Sequence, residues 1–200
     1  MMNVNLRRTS GLLGLTAAAV LLSGCGINSI PAKEEGVKAK WADVENQYQR
    51  RADLIPNLVA TVKGFAAQEK DVLEGVVKAR ASATQVTVDP TKLSDPAQMA
   101  AFEQAQGALG QSLGRLLVTV EKYPELKSNE QFLNLQSQLE GTENRIAVAR
   151  RDYNMAVQDY NTEIRTFPSL ITAKVVYGAE PIAPFKATTA NAEKAPEVAF

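Results

Sequence analysis

The chain reads as an all-α protein, an antiparallel up-and-down bundle of long helices in four segments, with a kink or turn near Pro56. Three observations carry that reading. Residues on one stripe from Val37 to Ala83 recur at alternating spacings of three and four, the heptad pattern of a helix seam. The breaks at 86–95 and 123–128 hold prolines and capping residues, which stop and restart helices. The segments between the breaks are long, roughly 40 to 57 Å at 1.5 Å per residue, and short loops make such neighbours antiparallel.

Taken in order, residues 1–24 read as a signal peptide. Arg7 and Arg8 precede an apolar run that ends in Leu22-Ser23-Gly24-Cys25. A basic stretch, a short apolar core and small residues before the cut define that class. The run is too short for a transmembrane span, which needs about 20 residues. The last four residues resemble a bacterial lipobox. Cleavage between Gly24 and Cys25 then leaves an acylated Cys25 as the first residue. Two or more acyl chains anchor stably where one is marginal. Gly26, rather than Asp, resembles the outer-membrane sorting pattern, with the bundle facing the periplasm if the host has two membranes. Residues 25–33, with Gly26, Ser29 and Pro31, read as the lipidated tether.

The bundle is expected over 34–168. Its first stripe is Val37, Trp41, Val44, Tyr48, Arg51, Ile55, Leu58, Val62, Phe65, Glu69, Val72, Val76, Ala79 and Ala83. Pro56 removes a backbone donor and crowds the preceding turn, and Asp53 is placed to cap a new helix. Residues 34–85 are thus one kinked helix or a helical hairpin. The hairpin is preferred, because a straight helix would leave Trp41 and Tyr48 without a partner; the unbroken heptad phase points the other way. Asp95 and Pro96 start the next helix, about 96–122, with Met99, Phe102, Leu109, Leu113, Leu116 and Val120 on one face. Gly107, Gly110 and Gly114 lie inside it at about 1 kcal/mol each against Ala. They read as close packing within the bundle in preference to a face for a partner helix. Ser128 and Gln131 form a capping box for a last helix of about 129–166, ended by Phe167-Pro168. Residues 169–200 read as an irregular, partly mobile tail, some of whose apolar residues up to Phe185 pack back.

Composition narrows the chemistry. The chain has 22 basic and 22 acidic residues, no His and one Cys. Without His, and with Cys25 acylated, His- or Cys-based metal sites and Ser-His or Cys-His catalysis are not expected. No basic face points to nucleic acid. No cofactor or metal is expected.

Three stretches stand out: Arg50-Arg51-Ala52-Asp53-Leu54-Ile55-Pro56-Asn57-Leu58-Val59; Tyr123-Pro124-Glu125-Leu126-Lys127 leading to Phe132; and Gly141-Thr142-Glu143-Asn144-Arg145-Ile146-Ala147 followed by Arg150, Tyr153-Asn154, Tyr160-Asn161 and Phe167-Pro168. In this order and over 34–168 they resemble the LemA family. The resemblance implies a helical bundle tethered at its N-terminus outside the cytoplasm. It brings no settled activity and no catalytic residues. Members commonly keep a membrane-spanning anchor, which the lipidated Cys25 replaces here.

The polar residues of these motifs, Arg51, Asp53, Asn57, Glu143, Arg150, Asn154 and Asn161, are the candidate polar network or interaction site. A buried polar layer is best attested as a device that fixes register; a solvent face or a ligand site are the other readings. The expected function is a membrane-anchored, non-catalytic interaction or scaffold protein of the cell envelope, with an envelope protein or a second copy as partner. The alternative is a helical module binding a small molecule or lipid. An enzyme built on carboxylates such as Glu69 and Glu143 is disfavoured.

Overall fold

A computed structural model of the chain describes residues 28–186. Residues 1–27, with the expected signal segment, Gly24 and Cys25, and residues 187–200 lie outside the described residues. The fold is all-α, with six helices packed on one another and no strand among the described residues. These are α1 (Ser29–Phe65), α2 (Lys70–Gln85), α3 (Pro96–Val120), α4 (Pro124–Lys127), α5 (Glu130–Glu163) and α6 (Ser169–Thr172), the last running into a π-type turn at Ala173–Tyr177.

α1 and α5 form the spine, and α2 packs on both α1 and α3. At 37 and 34 residues the spine helices are about 55 and 50 Å long. The core falls into two clusters. A lower one joins Ile55, Leu58 and Val62 of α1 to Leu73 and Val76 of α2, Leu113 and Leu116 of α3, and Phe132 and Leu139 of α5. The upper one gathers Trp41 and Tyr48 with Phe102, Tyr153, Val88, Leu93, Ile182 and Phe185. α2 contributes nothing to the upper cluster. The connection 86–95 and the C-terminal strap 178–186 take its place.

The preferred turn at Pro56 is therefore corrected. α1 runs through Pro56 as one helix, and the chain reverses only at 66–69. Asp53 caps nothing; it accepts from Gln49 Nε2 at 2.7 Å. The physical reason is a substitute donor. Arg80 Nε on α2 donates to the Ala52 carbonyl at 2.8 Å, the acceptor four residues before Pro56 that the proline leaves unpaired. Trp41 and Tyr48 do find partners, because α5 is nearly as long as α1 and the strap returns over both.

The expected tether is shorter than its reading. α1 begins at Ser29, and Ile30 is buried in the upper cluster. Pro31 is tolerated because the first four amides of a helix have no intrahelical acceptor. Glu163 holds this end: its carboxylate accepts from Ser29 Oγ at 2.7 Å and Ser169 Oγ at 2.6 Å, and pairs with Lys33 at 3.0 Å.

Of the two expected caps, one differs. Asp95 accepts from the amides of Ala97 and Gln98 as read from sequence. α5 is capped by Asn129, which accepts from Phe132 N at 3.0 Å. Ser128 instead closes α4 by donating to the Pro124 and Glu125 carbonyls.

The segment after Phe167 is ordered as far as it is described. Gly178, at φ +56°, adopts the left-handed conformation open to glycine and turns the chain into the strap. Trp41 stacks on Phe185 at 5.7 Å and meets Phe102 and Tyr153 edge-on.

Candidate functional site

The two apolar clusters meet at a polar layer. Arg51 occupies a seam position of α1 and is 4% exposed. A charge there needs several partners to offset its desolvation. Its Nη2 donates to the Gln106 carbonyl at 3.1 Å and to Gln106 Oε1 at 2.6 Å. Its Nη1 donates to Glu143 Oε1 at 3.0 Å. The Tyr48 ring lies 5.0 Å from the guanidinium carbon. Gln106 Nε2 then donates to the Ala83 carbonyl at 3.2 Å, one of the last acceptors of α2, which its own helix cannot satisfy. One chain of hydrogen bonds thus crosses α5, α1, α3 and α2 at the level where α2 ends. Arg51 Nε is buried and has no hydrogen-bond partner.

The layer is buried at Gln106 and opens at Glu143, whose side chain is 47% exposed. There it floors a groove of about 300 Å³ between α3 and α5, walled by Gly107, Gly110 and Ile146 and closed above by Glu103 and Arg150. Arg150 pairs with Glu103 at 3.8 Å, donates to the Lys186 carbonyl at 2.8 Å and lies 4.6 Å from the Phe185 ring centroid. Glu103 also accepts from the Lys186 amide at 3.0 Å. Burial raises the pKa of Tyr48; Arg150 and Arg51 act against that rise.

The glycine reading needs correction. A Cβ built on Gly107, Gly110 or Gly114 meets nothing within 4 Å. These residues do not pack closely within the bundle; they line open space along α3.

Asn154 and Asn161 are not in the Arg51 layer. Each amide pairs with both main-chain groups of one strap residue. Asn161 takes the Ile182 amide at 2.9 Å and gives to its carbonyl at 2.9 Å. Asn154 does the same for Phe185 at 2.8 and 3.2 Å. Seven residues of helix rise about 10.5 Å and three residues of extended chain about 10 Å, so the two spacings match. Tyr153 Oη donates to the Ala183 carbonyl at 3.1 Å, and the Ala183 amide joins the strap to Leu93 O at 3.3 Å.

The remaining candidates lie elsewhere. Asp53 and Asn57 are exposed on α1. Thr142 is buried but donates to Gln138 O of its own helix. Glu69 accepts from Tyr123 Oη at 2.8 Å at the foot of the bundle, about 20 Å along α1 from Arg51; it does not converge with Glu143. Among the described residues no group of three or more Cys, Asp or Glu side chains is placed to hold a metal.

The sequence reading missed Gln106, Glu103 and Arg80. Gln106 had a signal, as a polar residue on the apolar face between Phe102 and Leu109. Arg80 had none, because its partner is a main-chain oxygen.

The LemA family model matches residues 40–200. The chain is also similar to magnetosome protein MamQ 1 of Paramagnetospirillum magneticum, with 31% identity over 157 residues, 70% of this chain and 58% of that protein. Magnetosome protein MamQ of Magnetospirillum gryphiswaldense is 27% identical over the same shares. Protein LemA of Metamycoplasma hominis is 27% identical over 120 residues, 60% of this chain and 50% of its own. The chain spans little more than half the length of these curated relatives.

Proposed function

The chain belongs to the LemA family, and from that premise we propose that it is a lipid-anchored, non-catalytic interaction protein of the cell envelope that presents the groove between α3 and α5 to a partner segment. The anchor reading rests on the lipobox at Leu22–Cys25. No helix among the described residues is long and apolar enough to cross a membrane.

The observation that carries the interaction reading is the open space before Gly107, Gly110 and Gly114. Interior glycine weakens a helix. Three on one face, where an added Cβ meets nothing within 4 Å among the described residues, suit the close approach of another backbone. Next to them, the polar layer supplies an exposed carboxylate at Glu143, and Arg150 above it lends a guanidinium, to fix register.

The test is a photoreactive residue placed at Gly110, with Asp159 as a control position, in cells carrying Cys25 or Cys25→Ser. A discrete envelope adduct at Gly110 alone, lost with Cys25→Ser, is the expected result. An adduct of the chain with itself makes the partner a second copy. No adduct at Gly110 sinks the reading.

A second reading is favoured by the groove's volume of about 300 Å³, which suits a small molecule or part of a lipid. Native mass spectrometry of protein released from membranes checks it: a stoichiometric adduct lost in Gly110→Leu supports this reading over the first.

A further inference from the structure

Four large apolar side chains stand in solvent at one end of the bundle, beside the partly covered Tyr177. Phe167, Ile171, Val175 and Val176 are 75, 56, 79 and 63% exposed, and Tyr177 is 42% exposed. All come from one short stretch. The other exposed large apolar residues, such as Val77, Val118 and Met155, are scattered singly along the helices, which is ordinary for a protein surface. Large apolar residues exposed together in one short stretch mark a site of contact.

Its position in the fold says what the contact is. Glu163 binds Ser169, at the base of the patch, and Ser29, the first residue of α1. The patch therefore stands at the end of the bundle where the chain enters from Cys25. Three residues separate Cys25 from Ser29, and the four Cα–Cα steps between them reach at most about 14 Å. Acyl chains on Cys25 would hold a bilayer surface within that distance. The charge fits as well. Arg165 precedes the apolar residues and Lys174 lies among them, with no acidic residue between Glu163 and Glu180; Glu34, Lys38 and Glu180 share a depression with Tyr177. Apolar side chains with a basic fringe and a tyrosine suit the interface of an anionic membrane.

We propose that residues 167–177 dock into the interfacial layer of the same leaflet that holds the acyl chains of Cys25. This rests on the anchor reading above. The bundle then touches the membrane at two points, with α1 and α5 standing away from the surface and the α3–α5 groove held at a set height instead of swinging on a tether.

The experiment uses the full chain isolated from membranes and reconstituted into phosphatidylethanolamine–phosphatidylglycerol vesicles, with and without brominated acyl chains. Trp41 is the only tryptophan and is buried, so it serves as a constant background. Val175→Trp adds a probe in the patch, and Val118→Trp adds one on the exposed side of α3. Mass spectrometry reads the acyl group on Cys25 in the same samples. The expected result is that brominated lipid removes most of the added emission of Val175→Trp and none of that of Val118→Trp. An unquenched Val175→Trp on acylated chain that floats with the vesicles overturns the docking and leaves the anchor standing. Crosslinking of two chains through position 175 in that sample would identify a second copy as the cover, and also overturns it. Chain without an acyl group on Cys25 that leaves the vesicles overturns both readings.

Discussion

Arg80 on α2 donates its Nε hydrogen to the main-chain carbonyl of Ala52 on α1 at 2.8 Å, and so fills the vacancy that Pro56 creates within its own helix. The contact makes α1 continuous where its sequence alone favours a break, and ties α2 to the middle of the spine.

Arg80→Met should therefore destabilise the fold by about 1 to 3 kcal/mol, the cost of a buried acceptor without a donor. Pro56→Ala restores the amide that Ala52 lacks, so most of that loss should vanish in the double variant. Denaturant unfolding of the four-member cycle measures it. Equal losses in both backgrounds would show that Arg80 acts through something other than the proline gap.

The polar layer should be unequal in its parts. Gln106→Leu strips buried Arg51 of one acceptor and the Ala83 carbonyl of its donor, and should cost about 3 kcal/mol. Glu143→Gln touches a half-exposed partner and should cost less than about 1 kcal/mol. Thermal melting ranks the two, and the reverse order would mean that the layer is held from its solvent end.

Asn154→Leu and Asn161→Leu should each free one strap residue. The expected sign is faster hydrogen exchange at the amide of Phe185 in the first variant and of Ile182 in the second, with a stability loss of about 1 to 2 kcal/mol. Unchanged exchange at both amides would show that the aromatic stack on Trp41 holds the strap unaided.

Glu163 carries a pH dependence. Hydrogen bonds from Ser169, Ser29 and Lys33, in that order, depress its pKa to about 2. A carboxyl with a depressed folded pKa stabilises above its unfolded value, 4.5, and that contribution is lost as pH falls from there towards about 2. Because part of the group meets solvent, about 1 kcal/mol is expected. Melting temperatures of Glu163→Gln should lie below those of the parent chain at neutral pH and converge with them as pH falls from 4.5 towards about 2.

Gly110→Ala and Gly114→Ala should each stabilise α3 by about 0.5 to 1 kcal/mol, since a methyl group meets nothing there. If a partner approaches this face, the same substitutions weaken its capture. Calorimetry and the Gly110 region's crosslinking yield separate the two effects.

Some of this protein was legible from residue order alone. The heptad stripe from Val37 to Val62 placed the buried face of α1 correctly, because helical periodicity acts through neighbours three and four residues apart. Asp95-Pro96 marked the start of α3 for the same reason: a cap and its amides are local. The polar seam residue Arg51 was visible as an exception to an apolar pattern, and the motifs around Pro56, Tyr123 and Glu143 carried the family. What only the tertiary structure decided depends on main-chain groups that a side-chain pattern does not display. Whether Pro56 ends a helix was settled by a donor 28 residues away. Whether Asn154 and Asn161 face solvent was settled by the carbonyls and amides of Ile182 and Phe185. Whether the glycines of α3 are packed or open depended on where α5 lies. Every backbone group is an obligatory partner, and its vacancies appear only when distant segments meet.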